Sequence, residues 1–216
     1  GLVSFARPDQ LDIVKAVCAS YCLDNGAFSI WRKGGKLNPR KFMQWAHSHG
    51  KQANFDFAFI PDIIDGSEDA NDGLIQLWKE EATIQGVPIW HLDESLSKLE
   101  RLSHEWPIVA FGSSGSYAQP GTQKWWARMA EALPMVCDDN KPRCQLHGLR
   151  MMNPAIFTHI PFTSVDSTNA TQNGSARANA MDLPHAWQGS TVIAWRLEQY
   201  SSPELWHPEY IQHSLL

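Results

Sequence analysis

Apolar positions along the chain switch repeatedly between two spacings. Residues 8–17 carry Leu11, Val14 and Val17 at helical spacing. Residues 39–49 repeat the pattern, with Phe42, Trp45 and Ala46 on one face, Pro39 at the start and Gly50 as a stop. Further helices are predicted over 71–85, 95–106, 122–136 and 153–160. Ser95 is a fitting N-cap for the second of these, and Leu96, Leu99 and Leu102 supply its apolar face. Between them lie short apolar runs of strand length: 2–5, 21–23, 53–60, 87–92, 107–111, 144–151 and 162–165. Strand, helix and short joint in alternation predict parallel pairing through right-handed crossovers. A doubly wound open sheet shares this pattern, but it concentrates its site at one switch point. Here several successive strands run into polar or glycine-bearing loops. We therefore expect an α/β fold and a compact TIM-like (β/α) barrel, with its chemistry at the strand C-termini.

The pattern changes after residue 166. Residues 167–180 are rich in Asn, Ser, Thr, Gly and Ala and read as a loop over the site. Residues 190–197 read as a last strand or a helix. Residues 201–216 contain Pro, His and Trp and read as a tail packed across the barrel. No interdomain linker is visible, so 1–216 is expected to be one catalytic domain, with 167–216 an irregular part over or beside the barrel. At 216 residues and 43% hydrophobic content the chain can build a sizeable core, but it is small beside a typical barrel of about 250 residues. Trimmed or irregular last units are expected.

Charge and cysteines narrow the setting. No run reaches the roughly 18 apolar residues of a membrane span, and no basic segment with an apolar stretch opens the chain. Four cysteines make no dense disulfide framework at this length. A cytoplasmic location is expected. The net charge of −5 argues against a protein that coats nucleic acid, although binding depends on the local field. Five of the 18 basic residues fall between Trp31 and Lys41. That strip, with Arg32, Lys33, Lys36 and Arg40, reads either as a solvated loop or as a phosphate-contacting surface beside the site, Trp31 being available for stacking. Arg177, later in the chain, joins this set as a candidate backbone contact.

The strand ends offer Asp24, Asp62, His91 with Asp93, Gly112 with Gly115, His147 with Arg150, and Asp166. Each alone is as well explained by a turn or cap; the collection points to chemistry. Two carboxylates, Asp24 and Asp166, can serve a glycosidic bond, one as nucleophile and one as acid or base. A metal-dependent hydrolase is a rival, with His91, His147, Asp24 and Asp166 as ligands, but the paired His-x-His of an early strand is missing. Cys137, Cys144 and His147 are spaced too loosely for a typical structural zinc site, and neither a metal nor a cofactor is expected. Gly112-Ser113-Ser114-Gly115 follows a strand and precedes a helix, which suits an anion or a flat base, but it matches no phosphate-binding fingerprint. Of the ten tryptophans, Trp45, Trp78, Trp106, Trp125 and Trp126 are expected to pack on helices, with Trp31, Trp90 and Trp187 nearer the site.

Leu23-Asp24-Asn25-Gly26-Ala27-Phe28-Ser29 resembles the Asp-Ser-Gly-Gly-Phe-Gln loop of tRNA-guanine transglycosylases. It resembles more closely the loop of their DNA-acting relatives, the 7-deazaguanine DNA transglycosylases of phages and bacteria. Later segments follow in the family's order. Asp62 matches its base-recognising Asp. Phe111-Gly112-Ser113-Ser114-Gly115 lies where a glycine loop meets the base. Leu146-His147-Gly148-Leu149 resembles the next strand, and Val165-Asp166-Ser167 the Phe-Asp-Cys segment that carries the nucleophile. The likeness covers roughly residues 20–170.

The resemblance implies that Asp166 attacks C1′ of a nucleotide flipped from the stack, while Asp24 handles the proton of the base. It implies a base pocket of Asp62, His91, Gly112, Ser113, Gly115, Phe28 and Asn25. The family's zinc subdomain, with Cys-x-Cys-x-x-Cys and a later His, is absent, which weakens tRNA as substrate. The expected Gln before the glycine loop is replaced by the His91 region. The expectation is therefore a DNA glycosylase that removes a modified base, of use against phages with modified genomes. Base exchange on DNA is the close alternative, followed by the metal-dependent hydrolase and by a non-catalytic module on the same scaffold.

Overall fold

The computed structural model describes residues 1–209, and the chain divides into two compact units after Trp90. The first unit runs β1 (Leu2–Ser4), α1 (Leu11–Val17), β2 (Tyr21–Asp24), α2 (Ala27–Trp31), α3 (Pro39–His49), β3 (Phe55–Phe59), α4 (Glu68–Glu81) and β4 (Gly86–Val87). Its strands form one parallel sheet in the order β1-β2-β3-β4. Val3, Tyr21, Leu23, Phe59 and Val87 on the sheet are fully buried, as are Phe42 and Ala46 of α3, and the Phe42 ring lies 6.3 Å from that of Trp78 on α4. The helix ends are written locally. Asn38 accepts from Lys41 N, Pro39 sits in the first turn, and Gly50 ends α3. Ser67 caps α4 by accepting from Ala70 N. Gly86 is required by packing, since a Cβ there would stand 2.2 Å from Trp78 Nε1.

Pro88 separates β4 from β5 (Ile89–His91), and a residue without an N–H cannot continue a ladder. The second unit continues with α5 (Leu96–Glu105), β6 (Ile108–Gly112), α6 (Gln123–Val136), β7 (Cys137–Asp138), β8 (Lys141–Pro142), β9 (Gln145–Gly148), α7 (Pro154–Phe157), β10 (Ser164–Val165), α8 (Asn169–Asn179) and α9 (Ala186–Leu197). Its sheet has the order β10-β9-β6-β5, with β6 parallel to β9 and β9 parallel to β10. Val109, Phe111 and Leu146 of the sheet and Leu99, Leu102, Trp125, Met129 and Leu133 of the helices are all fully buried in the core. The fold is thus α/β with parallel sheets. Among the described residues the strands lie in two open four-stranded sheets and a two-stranded hairpin, and no pairing closes a ring.

Two expectations change. Residues 167–180 are not a loop over the site: 169–179 form α8, which pairs with α9. The reason is close backbone approach. A Cβ on Gly189 would lie 2.0 Å from Gly174 O and 2.6 Å from Ala178 N. Small residues, not an apolar stripe, allow the two helices to meet. The strand expected over 144–151 is only β9, preceded by the β7–β8 hairpin. Asp139 and Asn140 both adopt positive φ there, 49° and 65°, as a two-residue hairpin turn requires. The tail packs at Trp206, 8% exposed, whose backbone N–H donates to Asn140 O at 2.8 Å; residues 210–216 lie outside the described residues. No helix among the described residues is long and apolar enough to cross a membrane.

Gly189→Ala should force α9 away from α8. We expect a loss of about 1–3 kcal/mol in urea unfolding, the usual cost of overpacking, and earlier proteolysis within 169–197. An unchanged stability would mean the two helices do not cross at these glycines.

Candidate functional site

In the first unit, β2 ends at Asp24 and the chain turns at once. Gly26 makes the turn with φ +76°, and a Cβ there would lie 2.9 Å from Ala6 N. Asp24, half-buried, accepts from Gly26 N at 3.2 Å. Asn25 is 2% exposed. Its Nδ2 donates to Ile60 O and to Asp62 Oδ1, both at 2.8 Å, and its Oδ1 accepts from Ala27 N at 2.8 Å. Both amide hydrogens are therefore committed to protein oxygens. Asn25, expected to touch a base, instead fixes buried Asp62 across the ends of β2 and β3. Asn71 of α4 holds the following loop, accepting from Ile63 N.

Beyond the turn, Phe28 lies 5.9 Å from the Trp31 ring, with the Arg32 guanidinium 5.9 Å from its centroid. Trp31, Arg32, Lys33 and Lys36 are exposed, as a solvent-facing strip requires. Arg40 is exposed but paired with Glu81 at 2.7 Å.

In the second unit, parallel pairing sets Ser164 opposite His147. Asp166 follows the end of β10. Its N–H donates to Gly148 O at 3.2 Å, and its carbonyl accepts from Met152 N at 3.2 Å. The carboxylate is held through Oδ1, which accepts from Arg150 N at 2.7 Å and stands 3.5 Å from His147 Nε2. Oδ2 has no hydrogen-bond partner among the described residues, and the side chain is 23% exposed. Arg150 reaches this position with φ +59°, and its guanidinium donates to Ser113 O at 3.3 Å. His147 Nδ1 lies 2.8 Å from Ser164 Oγ.

The glycine loop after β6 is tied to its neighbours. Buried Ser113 accepts from Trp125 Nε1 at 2.9 Å, and Ser114 donates its hydroxyl to Asp93. Gly115 has φ +50°, and a Cβ there would come 2.8 Å from Asp93 Oδ2. The loop is thus braced against the end of β5.

His91, expected in the base pocket, is 4% exposed and belongs to a buried ionic cluster. Its N–H donates to Glu94 Oε2 at 3.0 Å, and Lys98 Nζ donates to Glu94 Oε1 at 2.8 Å. Arg128 closes the arrangement by donating to the carbonyls of Leu92 and Glu94 at 2.8 and 2.6 Å. Burial pushes the Glu94 carboxyl up, but hydrogen bonds from His91 and Lys98 outweigh it and hold the group at about 2. Sequence reasoning missed Glu94, Lys98, Arg128 and Ser164. Glu94 and Lys98 carried a readable signal, an acid and a base four residues apart at the start of a helix.

The other candidates fall elsewhere. Trp90, expected near the site, is fully buried in the core, and Trp187 stands on α9 at 64% exposure. Arg177 is half-buried on α8. Burial pushes the Cys137 thiol to about 12 and the Cys144 thiol to about 11, so both stay protonated at neutral pH. Among the described residues no three His, Cys, Asp or Glu side chains group as metal donors. No protein-family profile matches the chain, and no curated protein sequence matches it significantly.

Glu94 yields a signed prediction. A carboxyl held at about 2, against an ordinary 4.5, contributes stability that is complete above pH 4.5 and is lost as pH falls towards 2. Lys98→Met should leave the buried Glu94 carboxylate without its ammonium partner and cost about 3–5 kcal/mol at neutral pH. Urea unfolding at pH 7 and pH 3 should show that cost shrinking in acid; an equal cost at both would rule out the ionic role.

Proposed function

We propose that the protein breaks the glycosidic bond of a base in DNA, with Asp166 as the nucleophile. The carrying observation is the asymmetry of that carboxylate. Oδ1 is anchored by Arg150 N–H at 2.7 Å, while Oδ2 has no partner among the described residues. A carboxylate fixed through one oxygen presents the other in a defined direction, which nucleophilic attack requires. Oδ2 attacks C1′, the C1′–N bond breaks, and its electron pair leaves with the base, which takes up a proton. The sugar is left as an ester of Asp166. Water attacking C1′ releases an abasic site and restores the carboxylate. The reading assigns proton transfer to Asp24 at the end of β2, and base recognition to Asp62, Phe28 and the loop 112–115.

The DNA assignment draws on exposed Arg32, Lys33 and Lys36 beside exposed Trp31. Cations contact phosphates without reading sequence, and an aromatic ring stacks on any base. The target is a modified nucleotide flipped out of the stack. The resemblance of the Asp24 and Asp166 segments to DNA transglycosylases supports the same chemistry. The barrel belongs to this proposal as well: each sheet runs in sequential strand order, as half of a (β/α) barrel does. Four free cysteines fit a cytoplasmic setting.

Incubation with DNAs of different base modification, followed by mass spectrometry of small products, tests the reaction. Free base with abasic DNA is expected. Incorporation of an added deazapurine without base release would establish exchange instead. Asp166→Asn should abolish either reaction with the circular dichroism spectrum unchanged, and undiminished activity would end the proposal. Replacing both Arg32 and Lys33 by Ala should lower the slope of log K against log salt by about 2, since each phosphate left without its cation lowers it by about 1. An unchanged slope would remove the strip from the interface.

A further inference from the structure

His147 stands between the candidate nucleophile and a hydroxyl-bearing residue. It is 3% exposed, and both ring nitrogens have polar neighbours: Ser164 Oγ at 2.8 Å from Nδ1 and Asp166 Oδ1 at 3.5 Å from Nε2. β10 and the residue after it bring Ser164 and Asp166. The loop after β9 brings Arg150, whose guanidinium donates to Ser113 O. β6 brings its register partner Ala110 between Val109 and Phe111, all apolar.

A neutral imidazole has one donor nitrogen and one acceptor nitrogen, and its partners decide which is which. An ionised carboxylate only accepts. A serine hydroxyl can donate. For the neutral ring, the two neighbours are therefore satisfied together only if Nε2 carries the proton and Nδ1 accepts from Ser164.

We propose that Ser164 locks His147 in the Nε2-protonated tautomer, and that His147 is thereby a positioning residue for Asp166. Its Nε2–H joins Arg150 N–H on Oδ1 and keeps Oδ2 aimed at the sugar. This rests on the reading of Asp166 as nucleophile. At 3.5 Å the two atoms are within ion-pair range but further apart than a formed hydrogen bond. Catalytic hydrogen bonds of that length commonly tighten when substrate fills the site. Ser164 is suited to the task because its side chain is not part of the core. It lines an open cleft of about 600 Å³ with Phe157, Phe162 and Leu197. Loss of its hydroxyl therefore removes the bond to His147 and little packing.

Ring ¹⁵N NMR of the full chain, labelled at histidine and free of DNA, tests the tautomer. Wild type is expected to have His147 protonated at Nε2 and unprotonated at Nδ1, and Ser164→Ala is expected to have a mixture of the two forms. Base release then tests the consequence. Glutamine places its amide nitrogen near the position of Nε2, and asparagine near Nδ1. H147Q should retain activity within about tenfold, whereas H147N should lose about a hundredfold or more, the scale of one lost transition-state donor. Protonation at Nδ1 in wild type, an unchanged tautomer in Ser164→Ala, or equal activity of H147N and H147Q would overturn the proposal. If both His147 variants misfold, the ring tautomers of wild type and Ser164→Ala still decide it. If wild type releases no base from any DNA, the nucleophile reading falls while the tautomer result stands by itself.

Discussion

Parallel pairing of β9 with β10 fixes Asp166 before any chemistry is considered. The register sets Ser164 beside His147, and side chains two apart on a strand share a face. Asp166 therefore points the same way as Ser164, past the end of the ladder, where His147 can meet both. The backbone then closes around it: Asp166 N–H reaches Gly148 O, and Asp166 O receives Met152 N–H. Arg150 turns between these bonds with φ +59°. That conformation costs a non-glycine residue roughly 1–2 kcal/mol. It is offset by the hydrogen bond from Arg150 N to the carboxylate and by the guanidinium bond to Ser113 O. Glycine would relieve the backbone but lose the second bond. The arginine thus couples the loop after β9 to the loop after β6.

The end of β5 is secured differently. The Glu94 carboxylate is buried and must be compensated, and Lys98 and the His91 backbone do so. Once Glu94 is fixed, the chain between His91 and Ser95 has little freedom, and Arg128 occupies the carbonyls of Leu92 and Glu94. Asp93 emerges from this rigid segment towards Ser114 and Gly115. The glycine at position 115 is thus explained by the carboxylate beside it, with its positive φ as the second constraint. Three consecutive strand ends in this unit are therefore braced by buried polar groups.

Much of the framework was legible because its signals are local. α3 begins and ends where Asn38, Pro39 and Gly50 say it must. The strand ends were legible because apolar runs stop at Asp24, Asp62 and Asp166. α8 was not, because its packing depends on missing side chains at Gly174 and Gly189, which leave no apolar period. The β7–β8 hairpin has two-residue strands, below the length at which alternation can be seen. His91 was misplaced because its partner Glu94 lies three residues downstream and is itself held by Lys98 on α5. Trp90 was drawn towards the site by its neighbour in sequence, whereas every residue of β5 is buried and Trp90 lies in the core.

Chemical suitability separates the strand-end carboxylates more sharply than position does. Asp62 is 6% exposed and is engaged by the Asn25 amide, as a recognition or scaffold group would be. Asp93 is exposed, but Ser114 donates to its Oδ1, and its Oδ2 lies where a Cβ on residue 115 would stand 2.8 Å away. Asp166 combines an anchored oxygen with an unpartnered one at 23% exposure. Anchoring reduces the freedom lost on reaching the reactive geometry, and partial exposure leaves room for a sugar to approach. Full burial would have demanded compensation of the kind Glu94 receives, and compensation of both oxygens would have quenched the nucleophile. The same physical need to satisfy a carboxylate thus gives a structural acid at Glu94 and a reactive one at Asp166, the difference being how many of its oxygens the fold occupies.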